Sequence, residues 1–73
     1  LDAKELELII AIAVERMPAQ RKKIYRMSRE QGLSNEKIAR ELNISKRTVE
    51  NHLTQALADI RKILLLVIMA TIV

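Results

Sequence analysis

Apolar residues fall at helical spacing along this chain, in blocks interrupted at Pro18, Gly32 and Asn43. Leu6, Ile9, Ile10, Ala13 and Val14 form one face of a first helix expected over about residues 3–16. Asp2 and Glu5 stand three apart before it, the spacing of an N-cap and its reciprocal partner. Pro18 ends that helix and suits the first turn of a second over about 19–30, with Ile24 and Met27 inward. Gly32, the sole glycine, closes it. Ser34 then caps a third helix, 35–42, with Glu36 in its first turn and Ile38, Ala39 and Leu42 on one face. The pattern breaks at Asn43, a residue that tolerates the left-handed backbone of helix ends. Ser45 caps a fourth helix, expected over 46–70, whose inward period runs Val49, Leu53, Ala56, Leu57, Ile60. The expectation is an all-α domain of four helices over residues 1–73, helix-turn-helix or winged-helix-like.

The third and fourth helices, with the tight break between them, form the helix-turn-helix. Ala39 is small where two helices must cross closely. Ile44, Val49 and Leu53 lock the fourth helix onto the third, so the motif core is Ile38, Ala39, Leu42, Ile44, Val49 and Leu53. Outward near the start of the fourth helix stand Lys46, Arg47, Thr48, Glu50, Asn51, His52, Thr54 and Gln55, the polar and basic edge that a DNA groove requires. Asn51 or Gln55 can pair bidentately with adenine, and Glu50 can accept from cytosine. Ser45 and the free amides beside it can hold a phosphate. His52 fits a base or phosphate contact and equally a solvated histidine.

Two stretches do not fit a simple amphipathic pattern. Leu8 and Ile12 lie off the first helix's apolar face, which suits either burial on more than one side or contact with a partner. Ile63 to Val73 carries no charge at all. As a helix such a stretch reaches about 16 Å, against the roughly 30 Å of a bilayer core, so no membrane span is expected. A tail apolar all round must be buried against the first helix, its own copy or another protein; a 73-residue domain hides part of it, which favours a contact between molecules.

Charge sharpens the reading. Net charge is +4, but Arg16 to Arg47 holds ten Lys/Arg and three acids, whereas Leu1 to Glu15 holds one Lys and four acids. The basic excess sits on the motif and the segment before it, with Lys22, Lys23, Arg26 and Arg29 expected on the surface; this is the footprint of phosphate binding. Alone it would suit a solvated surface as well. There is no cysteine and one histidine, so neither a disulfide framework nor a metal site is expected, and no cofactor. Nor is there a nucleophile–base pairing or phosphate-cradling glycine loop, which argues against an enzyme. The start at Leu1 instead of Met suggests a piece of a longer chain, and the acidic opening is unlike a secretion signal.

The run from Met17 through Lys62 resembles region 4, the C-terminal DNA-binding region of bacterial RNA polymerase sigma factors. It is most similar to the extracytoplasmic-function subfamily in its Bacteroidetes form. The resemblance covers about residues 5–64 and rests on Pro18-x-x-Arg21, on the run Arg29 to Ala39, and on the Ala56-Leu57-x-x-Ile60-Arg61 extension. Met17 replaces the usual Leu, and Lys37 a common Glu. The resemblance implies recognition of the minus-thirty-five promoter element, docking on the beta flap of core RNA polymerase, masking by an anti-sigma factor and a cytoplasmic setting. It places Glu50, Asn51, His52, Thr54 and Gln55 at the bases; Lys46, Arg47 and Thr48 lie at the phosphates, to which the expectation adds Ser45 and Arg29. Two alternatives stand beside it. One is a LuxR-type output domain, which shares the Gly32–Leu53 pattern but not the flanks. The other is a protein-interaction module that uses the tail for self-association or another partner.

Overall fold

The computed structural model describes residues 1–72 and contains α1 (Ala3–Glu15), α2 (Ala19–Arg29), α3 (Asn35–Leu42) and α4 (Lys46–Ile72). No strand occurs among the described residues. A wing needs a β-hairpin, so the winged-helix-like expectation is corrected to a plain helix-turn-helix. The first two helices end one residue short of expectation, and α4 continues beyond residue 70.

Local signals account for the breaks. Asp2 and Glu5 form the reciprocal capping box, with Glu5 N–H on the Asp2 carboxylate at 2.8 Å. Pro18 occupies the cap position of α2 rather than its first turn, and its carbonyl accepts from Lys22 N–H at 2.9 Å. Gly32 lies at φ +67°, where a side chain would be strained although no neighbour crowds it. After it, Leu33 N–H donates to the Met27 carbonyl at 3.1 Å, turning the chain back toward α2.

The core lies in two groups at successive levels along one face of α4. Ile24, Met27, Ile38, Ala39 and Val49 join α2, α3 and α4, with Leu33, Leu42, Ile44 and Leu53 packed around them. Val14, Met17 and Ala56 join α1 to α4, flanked by Ile10, Tyr25 and Ile60. Ile24, Ile38 and Val49 have no exposed surface, and such burial stabilises by roughly 1.5–3 kcal/mol per side chain. Ala56 is equally enclosed; its small side chain lets α1 and α4 approach.

The long fourth helix sets the shape. Its 27 residues reach about 40 Å, close to the 45 Å long axis. Beyond Ile60 it runs beside α1, and Val67, Ile68, Thr71 and Ile72 line an open groove of about 400 Å³ with Leu1, Glu5, Leu8 and Ile9. The first helix thus borders the tail without covering it: Leu65, Leu66, Met69 and Ile72 stay 53–78% exposed. Val73 lies outside the described residues. Leu8 and Ile12 are also exposed, which removes the expectation that α1 is buried on more than one side. Leu57, read as part of the inward period, is exposed too, because one step past Ala56 rotates it off the α1 contact.

Candidate nucleic-acid interface

The turn that aims α4 is built from Asn43 to Ser45. Asn43 takes the left-handed conformation, φ 55° and ψ 48°. Its N–H donates to the Arg40 carbonyl at 3.3 Å and that of Ile44 to the Ala39 carbonyl at 3.0 Å, the paired bonds of a Schellman closure. Ile44 then packs on the cluster containing Ala39, the hydrophobic contact that accompanies this closure. Ser45 opens α4: its hydroxyl accepts from Thr48 N–H at 3.0 Å, and its carbonyl from Val49 N–H at 3.2 Å. All six motif-core residues therefore meet in one cluster, and the direction of α4 is fixed by backbone bonds and packing together.

With Val49, Leu53 and Ala56 turned inward, Arg47, Asn51 and Thr54 follow one another on the opposite, exposed side. Glu50 and Gln55 border that stripe and are exposed as well. The first amides of α4 point out of its end and, with the helix dipole, favour an anion there. The arrangement offers donors and acceptors along one free helix edge and positive potential at its start, which suits a groove-reading helix.

Several site residues expected from the sequence are partly engaged within the protein. Lys46 Nζ pairs with Glu36 Oε1 at 2.8 Å across the motif. The Lys46 hydrogen bond holds the Glu36 carboxyl below its ordinary range, and the same bond raises the Lys46 ammonium. The hydroxyls of Ser45 and Thr48 lie 2.8 Å apart, so one hydrogen joins them and the other is free to donate outward. His52 is half-buried, and its Nδ1 is enclosed without a hydrogen-bond partner. Arg29 does not join the group: it lines a cleft between α1 and α2 with Glu7, Ile10 and Glu15.

Sequence reasoning missed the role of Arg21. Reaching from α2, its Nη1 pairs with Asp59 and its Nη2 donates to Gln55 Oε1 at 2.7 Å. The side chain is 19% exposed, and its Nε is enclosed without a partner. The available signal was the i, i+4 placement of Gln55 and Asp59 on one side of α4, facing an arginine just after Pro18. The basic block is also less free than its count implies. Glu15 of α1 receives Arg26 at 2.7 Å and Lys22 at 3.4 Å, and its carboxyl is held low, first by the Arg26 hydrogen bond and then by Lys22.

A free recognition edge on the second helix of a helix-turn-helix defines a DNA-binding domain. The family described as Sigma-70, region 4 matches residues 8–60, most of the chain. The chain belongs to that family, the DNA-binding helix-turn-helix of factors that act in transcription initiation. No curated protein matches it. The match takes in α1 from Leu8 onward, the Pro18–Arg21 lead-in and the recognition part of α4, and stops at Ile60, just before the apolar tail.

Proposed function

We propose that the chain recognises the minus-thirty-five promoter element for a sigma factor of the extracytoplasmic-function subfamily, Bacteroidetes-like in sequence, acting in the cytoplasm. It docks on the beta flap of core RNA polymerase, and an anti-sigma factor would compete for its surfaces. The carrying observation is the exposed stripe Arg47, Asn51 and Thr54, flanked by Glu50 and Gln55, on a helix whose other side is locked into the core. Ser45, Lys46, Arg47 and Thr48 serve the phosphates. His52 contributes from the flank through its outer nitrogen, and Arg29 adds long-range attraction. The flanks outside the Gly32–Leu53 pattern, the Pro18–Arg21 lead-in and the Ala56–Arg61 extension, support this reading over a LuxR-type output domain.

The test is salt-dependent binding to duplexes carrying candidate promoter elements. Each phosphate contact contributes a slope of about −0.9 in log affinity against log salt. Asn51→Ala should cost roughly 1–3 kcal/mol and relax preference at one base pair, while Arg47→Ala weakens all sequences alike. Identical effects of the two variants on every duplex would reject this division of roles.

A second reading concerns the tail. Leu65, Leu66, Met69 and Ile72 are exposed along the tail, and Leu8 and Ile12 on α1, apolar surface suited to self-association. No helix among the described residues is long and apolar enough to cross a membrane. Sedimentation of the chain and of a Leu65→Ser/Leu66→Ser/Met69→Ser variant decides: a dimer converted to monomer supports the contact, and a wild-type monomer removes it.

A further inference from the structure

We infer that Arg21 is a positioning residue that sets the base preference of Gln55 by fixing which end of its amide faces outward. The inference rests on the DNA-reading proposed above.

A glutamine side chain has one accepting and one donating end, and free in a groove it can present both. Presenting both is what bidentate pairing with adenine requires, the carbonyl accepting from N6 and the amide nitrogen donating to N7. An arginine guanidinium can only donate. With Arg21 Nη2 at 2.7 Å, the Gln55 carbonyl oxygen must be the end that faces α2. The Gln55 NH2 group is then left as the end available to a ligand. The Asp59 ion pair and the packing around Arg21 hold the guanidinium in place, and the side chain is largely enclosed. Rotation of the Gln55 amide would set NH2 against a cation that offers no acceptor, so the contact favours this one orientation.

Gln55 lies one helical turn beyond Asn51, at the border of the exposed stripe. Held this way its NH2 group suits a base edge rich in acceptors, guanine O6 and N7 or thymine O4; adenine offers only N7, and its N6 donor meets a carbonyl turned toward α2, so the two-bond adenine contact expected from sequence is lost. A backbone phosphate oxygen is also an acceptor, but that contact would carry no base preference. The experiment separates the two.

The full chain, and its Arg21→Met, Arg21→Lys and Gln55→Glu variants, are each used to select from a randomised pool of duplex DNA, and the enriched sequences are read out. Circular dichroism melting checks that each variant is folded. Arg21→Lys keeps a cation for Asp59 and loses the planar fork, so it serves where Arg21→Met is poorly folded. The wild type should enrich guanine or thymine at one position. Both Arg21 variants should bind with the remaining motif unchanged but admit adenine there, a drop of roughly tenfold in discrimination. Gln55→Glu keeps a partner for Arg21 but has no donor, and should lose the guanine or thymine enrichment. A wild-type motif that persists unchanged in the folded Arg21 variants overturns the inference and leaves the DNA-reading intact. Weakening that is uniform across bases also overturns it, in favour of a phosphate contact. A wild type that enriches no motif defeats the DNA-reading itself, and the inference with it.

Discussion

The two ends of α4 are one continuous helix built on opposite principles. From Lys46 to Ile60 its sequence is two-sided: Val49 and Ala56 are fully enclosed, while Arg47, Asn51 and Thr54 face solvent. From Ile63 to Ile72 it has no polar side, and none of its residues is buried. The first end is fixed by α2 and α3 as well as α1; the second borders α1, touches α2 only near Pro18 and Arg21 through Ile63 and Leu66, and leaves Leu65, Leu66 and Met69 largely to solvent. Amphipathicity therefore gives the recognition end its orientation, whereas uniform apolarity gives the tail none. The family match covers the first end and stops short of the second.

The strongest way to break this comparison is to cut the core beneath each end. Ile38→Ala removes a side chain with no exposed surface and should cost about 2–5 kcal/mol in urea unfolding. Leu66→Ser, at a residue 56% exposed, should change stability by no more than about 0.5 kcal/mol. Equal losses would mean that the tail is as firmly packed as the motif. Next in size is the turn. Asn43→Ala places an ordinary side chain at φ 55° and should cost about 1–2 kcal/mol, whereas Asn43→Gly should be close to neutral. A Gly variant as unstable as the Ala variant would mean that the Asn side chain, and not the left-handed backbone, holds the turn.

The smallest effect sharpens the electrostatic side. Glu36→Gln frees Lys46 and removes a negative charge beside the recognition edge, so affinity for all duplexes should rise at low salt and the gain should fade as salt increases. Unchanged affinity at low salt would show that Lys46 does not approach phosphate. Because the Glu36 carboxyl is held low, its contribution is present above the ordinary glutamate range and is lost as pH falls through the lowered value. The Lys46 ammonium is held high, so its share is present below the ordinary lysine range and is lost as pH rises through the raised value. Between those limits the pair is fully formed and stability should be flat with pH, apart from other groups. Both partners are exposed, so the effect is small and screened by salt.

What the sequence made legible is what depends on neighbours in the chain. The capping box at Asp2 and Glu5, the caps at Ser34 and Ser45 and the left-handed Asn43 each involve atoms within a few residues, and spacing alone identifies them. The motif core followed from period, since Ile38, Ala39, Val49 and Leu53 repeat as a packed helix pair must. The clamp of Arg21 on Gln55 joins residues 34 apart, and the Lys46–Glu36 pair crosses two helices; local pattern offers at most the i, i+4 placement of Gln55 and Asp59, and helix packing decides the contacts themselves. The same gap explains Leu8 and Ile12: periodicity marks them as apolar and off-face, but the path of a second helix decides whether anything covers them. A charge count also cannot see pairing, and Glu15 engages two cations that the composition had counted as free.

The central claim is that DNA meets the recognition end of α4 and not the tail. Amide chemical-shift mapping of the labelled chain, titrated with a duplex selected by the chain, tests it directly. The account predicts that the largest shifts fall between Ser45 and Gln55, with residues 63–72 nearly unmoved. Shifts concentrated on the tail or on α1, with Arg47 and Asn51 silent, would contradict it.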